Sequence, residues 1–332
     1  MHWKIKASLQ KLLNLTRLGD QLNHIPATLQ KEYHKNVCLY QFYECIRKFE
    51  LAQITLSSET QKKALEIGTG YSLIAPITLF LLGFDQIVTV DISNDISIKG
   101  LQKQINYLFQ EDVKNSILEK SKFESAELEE KMNRIQSCKT LEDLFTFCNI
   151  IYIPNYTFAA IENTSSSYHY IYSQVVFEHI SPEVLQQLFV KMKQWLHTDG
   201  CAVHTINFID HFANPGFFQD KKISEFNFLK YSNKTWDFWA GNAIAYTNRL
   251  SYLYYLELCK QNELIVIDFI GENYRDHYPL PENMIHPDVL HKYATPPSAS
   301  DLCKYQRGTL LFKTIKNKVL GDSCLFVLSI HD

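Results

Sequence analysis

Apolar positions in residues 1–60 recur at every third or fourth place, most clearly in VCLYQFYECIRKFELAQ, a spacing that predicts helices. From Lys63 the spacing changes. KALEI reads as a short buried strand, SLIAPITLFLLG as a helix stopped by Gly83, and QIVTVDI as a second strand ending on Asp91. Strand, turn, helix and strand in that order predict two parallel strands joined by a right-handed crossover. NDISIKGLQKQINYLFQ is the next helix, with Asn94 in the capping place. Residues 111–148 are polar and dense in charge, the pattern of solvated helices inserted between sheet elements. NIIYI at 149–153 is the third strand, PNYT a turn, and YHYIYSQVVFEHI the fourth strand with the loop beyond it. Ser181 and Pro182 then open a helix as cap and first residue. Gly200 ends that helical region, CAVHTIN is the fifth strand, ELIVIDFIG the sixth, and GTLLFKTI or SCLFVLSI completes the sheet.

These elements predict an α/β fold: a Rossmann-like doubly wound sheet of about seven strands, helices on both faces, and an added helical cap. Residues 1–60 form the cap and 61–275 the main domain. Within it, 111–148 is the polar insertion and 212–258 an aromatic cover; 276–332 extends the chain to complete the sheet.

At 332 residues and 46% hydrophobic, the chain can bury a substantial core. Its 33 basic and 36 acidic residues nearly balance and form no basic run, so the electrostatic footprint of a nucleic-acid binder is missing and a small-molecule acceptor is the expected partner. The eight cysteines are scattered without CxxC pairs, which argues against a zinc site or a disulfide framework and for reduced thiols in the cytoplasm; no metal is expected. Lysines interrupt the N-terminal segment, so it does not read as a secretory signal. The apolar run from Tyr71 to Phe84 falls short of the ~20 residues that span a bilayer, and no stable membrane insertion is expected. Oligomeric state is not legible.

Gly68 and Gly70 fall between a buried strand and a helix, where the backbone must turn tightly and leave room for a ligand. A dinucleotide site wants GxGxxG, but Leu73 stands where the third glycine would be. Glu66 would also repel a pyrophosphate. A carboxylate there suits S-adenosylmethionine (SAM), which has no phosphate but carries an ammonium, a sulfonium and a ribose diol. Asp91, ending the second strand, is placed to accept hydrogen bonds from the ribose hydroxyls.

LEIGTG followed by VTVDIS resembles the first two motifs of class I SAM-dependent methyltransferases, and YSQVVFEHI resembles the segment after strand four in their small-molecule branch. The resemblance implies SAM as cofactor, held by Glu66, Gly68, Thr69 and Gly70, by Asp91 and Ile92, and by Asn155, Tyr156 and Ser173. Three departures stand out: Ser72 replaces the usual third glycine, Asn155 or Tyr156 stands where an acid commonly follows strand three, and Tyr168 and His169 where an aromatic and an Asp often precede strand four.

Methyl transfer to a hydroxyl needs an oxygen on the axis of the donor methyl and a group to receive its proton. His179 after strand four, and Asp210 with His211 after strand five, are the catalytic candidates. His204 within strand five reads instead as a satisfied core histidine. In the aromatic stretch after strand five, Trp239 and Arg249 are the acceptor-binding candidates. The expected function is O-methylation of a small metabolite, sugar or natural product. The alternative is a non-catalytic module that binds SAM or a nucleoside within an assembly.

Overall fold

The computed structural model describes residues 1–16, 19, 22, 25, 28–55, 61–157, 167–213 and 218–314. Its centre is a seven-stranded sheet in the order β3-β2-β1-β4-β5-β7-β6. The strands are β1 (Lys63–Ile67), β2 (Gln86–Val90), β3 (Ile150–Ile153), β4 (Tyr168–Gln174), β5 (Leu196–Asn207), β6 (Leu264–Glu272) and β7 (Arg307–Thr314). The first five run parallel, while β7 inserts antiparallel between β5 and β6. The chain therefore moves outward from β1 through β2 to β3, then returns to β4 on the other side of β1. That reversal opens a crevice at the carboxyl ends of β1 and β4, the place where open α/β sheets take ligands.

Strand alternation divides the sheet's two faces. Ala64, Tyr170, Tyr172 and Val203 pack with α2 (Tyr33–Ala52), α3 (Ile74–Leu82) and α4 (Ile98–Leu108). Leu65, Ile171, Ala202 and Ile206 pack on the opposite side with α8 (Pro182–Trp195) and α10 (Tyr252–Gln261). Between these lie α5 (Glu111–Leu118), α6 (Ser125–Ser137) and α7 (Leu141–Cys148), the polar insertion. Its helices bury Val113, Ile117, Leu128, Met132 and Leu144 in the same core as α3, so the segment is a layer on that face of the sheet.

A third cluster forms beyond β5. Trp3 of α1 (Trp3–Leu13) packs on Phe212, Tyr231, Trp236 and Trp239, joining the N-terminal helix to α9 (Asn233–Ala240) and to the loop leaving β5. The Trp3 amide also donates to Asp220 Oδ2 at 3.0 Å. In α2, Arg47 donates to Thr205 and Thr309 on β5 and β7, tying the helix to the carboxyl end of β5, while Arg307 of β7 pairs with Glu272 of β6 at 2.6 Å.

Several local expectations change. Asn94 does not cap; α4 begins at Ile98 with Ser97 in the capping place. Gly200 does not end a helix: α8 stops at Trp195 and β5 runs on from Leu196, with a register shift against β4 between Tyr168 and Tyr170. Ser181 does cap α8, accepting from the Val184 amide, with Pro182 following. GTLLFKTI supplies the seventh strand, whereas SCLFVLSI lies outside the described residues. The described cysteines are all buried and unbonded to one another. Among the described residues no helix is long and apolar enough to cross a membrane.

The anchoring of α1 gives a direct test. Truncating a buried Trp removes about 3–5 kcal/mol of packing, more than a single docked helix of this length retains in water. Trp3→Ala should release α1, and hydrogen exchange should become fast across residues 3–13 while β1, β4 and β5 keep their protection. Unchanged protection in α1 would show that other contacts hold it.

Candidate active site

The turn after β1 is built on two left-handed glycines, Gly68 at φ 86° and Gly70 at φ 61°. They serve different purposes. A Cβ at Gly68 would lie 2.3 Å from Val176 Cγ2, so this glycine admits a side chain from the loop after β4. A Cβ at Gly70 would meet nothing within 4 Å among the described residues, so the open space lies there. The amides of Gly68 and Thr69 both donate to the Val90 carbonyl, and the Gly70 amide donates to Asp91 Oδ2 at 2.7 Å. Ser93 donates its amide and hydroxyl to Asp91 Oδ1, each at 2.9 Å. The half-buried Asp91 carboxylate is thus fixed at the rim of the turn, with a lone pair remaining on Oδ2. Beside it Ile92 is 85% exposed, an apolar surface at the sheet's carboxyl edge.

Glu66 lies beneath the turn and is buried. Thr89 donates to its Oε2 at 2.5 Å, and Thr69, also buried, shares a 2.6 Å hydroxyl contact with Thr89. Burial pushes the Glu66 carboxyl up to about 7, opposed by the Thr89 hydrogen bond and by the Lys48 ammonium. Lys48, buried in α2, donates to the Ser173 carbonyl and the Gln174 side chain, and burial lowers it to about 8. Nothing in the helical periodicity of α2 distinguishes Lys48, which the reading of the sequence passed over.

After β3, Asn155 is exposed in a left-handed conformation, and the Tyr156 amide donates to the Asp91 carbonyl at 2.8 Å. This places the β3 turn against the end of β2. Ser173 is different. It is fully buried, its hydroxyl 2.8 Å from His204 Nδ1, on the face away from Glu66. His204 is a core residue, stacked on Phe177 and Phe312.

The loop after β4 turns through Val175 at φ 49° into a short 3-10 turn, Phe177–His179. Asn248 holds it from outside, donating to the Phe177 carbonyl at 2.7 Å and the Ile180 carbonyl at 2.9 Å. His179 lies at the exposed rim with Nδ1 2.9 Å from the Tyr246 carbonyl. Because a carbonyl only accepts, Nδ1 carries the hydrogen and Nε2 keeps its lone pair. His211 arrives from the loop after β5, its ring centroid 4.9 Å from that of His179. Its Nε2 is enclosed without a hydrogen-bond partner among the described residues, and burial, with His179 and Lys6 nearby, pushes it down to about 3.

Asp210, adjacent in sequence, does not join this pair. It is fully buried and accepts from the Phe212 amide and the Asn227 side chain, closing the loop that carries His211. Burial raises its carboxyl to about 6. Arg249 is likewise turned inward. It is 3% exposed and donates to the Phe228 and Tyr231 carbonyls and to Asn233, so in this conformation it ties the aromatic segment together and offers no charge to a ligand. Trp239 is half-buried against Trp3 and Phe238. The structure therefore brings His179 and His211 together, and Gly70 with Asp91, but not Arg249 or Ser173 with either.

No protein-family model matches the chain, and no curated protein matches it. Solved structures do. The geranyl diphosphate C-methyltransferase of Streptomyces coelicolor A3(2), in complex with S-adenosyl-L-homocysteine, is 9% identical over 86% of this chain and 85% of its own, with a TM-score of 0.43. Phosphoethanolamine N-methyltransferase 2 of Haemonchus contortus, in complex with SAM, is 13% identical over 82% of this chain and 53% of its own, with a TM-score of 0.41. What this chain has, from its own strand order and crossovers, is a Rossmann-like α/β fold with a seven-stranded mixed sheet.

Proposed function

We propose that the chain is a SAM-dependent methyltransferase acting on an oxygen of a small-molecule acceptor. The observation that carries the reading is the open space at Gly70 directly beside the Asp91 carboxylate. Asp91 Oδ2 keeps a lone pair for a ribose hydroxyl, and exposed Ile92 offers an apolar contact to a purine. Glu66 under the turn favours a cationic amino-acid tail over a phosphate. SAM supplies the activated methyl group. The chain's own residues fix the donor at the β1 and β2 ends and present the acceptor from the β4 and β5 loops. His179 and His211 direct lone pairs to the acceptor hydroxyl, and Asp210 positions His211 by closing its loop. Trp239 and the aromatic segment form the wall on the acceptor side, with Arg249 as the tie that shapes it.

Replacing a charged hydrogen-bonding group in such a site costs about 1.5–3 kcal/mol. Asp91→Ala should therefore weaken SAM binding tenfold or more by calorimetry, with the fold intact by circular dichroism; equal affinity in the variant would remove Asp91 from the site. A donor that binds but is never turned over with any hydroxylated acceptor would favour the binding-module reading.

Glu66 has a pH signature of its own. Its folded-state value is raised, so the folded chain binds more protons than the unfolded one between about 4.5 and about 7. The stability of the SAM-free protein relative to Glu66→Gln should fall as pH rises through that window, by up to about 3 kcal/mol, and level off above it. Urea denaturation of both proteins at a series of pH values measures the difference; a difference independent of pH would mean that Glu66 is not held in a raised state.

A further inference from the structure

The loop after β4 carries a second acid that the donor site does not use. Glu178 is 3% exposed, and neither of its carboxylate oxygens has a hydrogen-bond partner among the described residues. The backbone N–H groups of Glu178 and Asn207 approach without closing a well-formed bond, and burial pushes the carboxyl up to about 8. A buried carboxylate left this way is costly unless a cation or a donor completes it. Two imidazoles stand next to it. One donor atom from each of Glu178, His179 and His211 lies within 4.8 Å of the others.

We propose that Glu178, His179 and His211 form a binding site for a divalent transition-metal ion at the carboxyl edge of the sheet. Three features support it. First, the donor set of two imidazoles and one carboxylate favours zinc and its first-row neighbours over magnesium or calcium, which prefer all-oxygen sites. Second, His179 has the arrangement a ligating histidine needs. Its Nδ1–H donates to the Tyr246 carbonyl at 2.9 Å, which fixes the ring and leaves Nε2 as the ligand nitrogen. Third, the unpartnered atoms coincide: both Glu178 oxygens and His211 Nε2 are enclosed and unsatisfied in the same corner. A tetrahedral ion spaces its ligand atoms roughly 3.3–3.5 Å apart, so a bound ion draws the three donors, which lie within 4.8 Å of one another, closer together. Lys6 approaches the same corner, but its ammonium rests on the His211 carbonyl at 3.4 Å and is offset by Asp210.

Three protein ligands leave at least one coordination position open. In the methyl-transfer reading, on which this role rests, the acceptor hydroxyl oxygen occupies that position and gives its proton to solvent. The oxygen then attacks the donor methyl: the new bond is C–O, the C–S bond breaks, and sulfur keeps the electron pair. The ion replaces a general base. It also selects acceptors with a hydroxyl able to reach it, such as vicinal diols or α-hydroxycarbonyls that chelate through two oxygens.

The test uses the whole chain, stripped with a chelator and titrated with Zn²⁺ or Mg²⁺ by calorimetry and with Co²⁺ by visible absorption. A single Zn²⁺ per chain is expected, with Mg²⁺ far weaker and a Co²⁺ spectrum of low coordination number. Glu178→Gln, His179→Gln and His211→Gln should each weaken Zn²⁺ tenfold or more. His179→Gln lies at the rim and does not threaten the core, and cooperative thermal unfolding checks the other two. Zn²⁺ binding that survives all three substitutions, Mg²⁺ binding as tight as Zn²⁺, or no Zn²⁺ uptake by the folded parent overturns the site. SAM titrated into the same samples separates the two readings: Zn²⁺ bound without SAM leaves the site and removes its part in methyl transfer, whereas SAM bound without Zn²⁺ removes the site alone.

Discussion

The contact of Val176 with Gly68 is the constraint on which the site depends. It joins the loops after β1 and β4 at the point where the sheet's winding reverses. Only a residue without Cβ leaves room for the valine, since any side chain at Gly68 would intrude to 2.3 Å. With Val176 seated there and Val175 in the left-handed region, the chain turns sharply enough for Phe177 to stack on His204 inside the core. Glu178 and His179 follow from that turn. One is carried into the protein and the other to its rim, and Asn248 locks both by bonding the carbonyls on either side.

Buried charge explains why the two halves of the crevice differ. At the ends of β1 and β2, Glu66 is compensated: Thr89 donates to it, and Lys48 from α2 lies close enough to oppose its raised value. The same lysine grips the end of β4 through the Ser173 carbonyl and Gln174. This couples α2 to the strand that leads into the 3-10 turn at Phe177–His179. At the ends of β4 and β5, Glu178 has no equivalent compensation among the described residues, and a nitrogen of each of two imidazoles lies within 4.8 Å of it.

The cover beyond β5 shows the same logic in apolar form. Trp3 inserts among Phe212, Tyr231, Trp236 and Trp239, while Arg249 gathers carbonyls from the irregular stretch around Phe228 and Tyr231. An arginine in an aromatic stretch reads as a ligand group when only composition is considered. Here the irregular backbone leaves carbonyls that no helix or strand satisfies, and a buried guanidinium is the group that can answer several of them at once.

The sequence by itself determined what is local. The β1 turn, α3 and β2 are contiguous, so strand length, two glycines and a terminal acid specify the corner at Gly70 and Asp91 without distant partners; the same holds for the cap of α8 by Ser181. Sheet order was not legible, because the antiparallel insertion of β7 between β5 and β6 pairs residues far apart along the chain. Nor was Glu178. Cysteine spacing carries no metal signal, whereas the set that converges comes from a Glu-His pair after β4 and a histidine after β5, brought together only because adjacent parallel strands deliver their loops to one edge. Tertiary structure alone decided which acids are compensated, since burial and the partners that relieve it are properties of the packed chain.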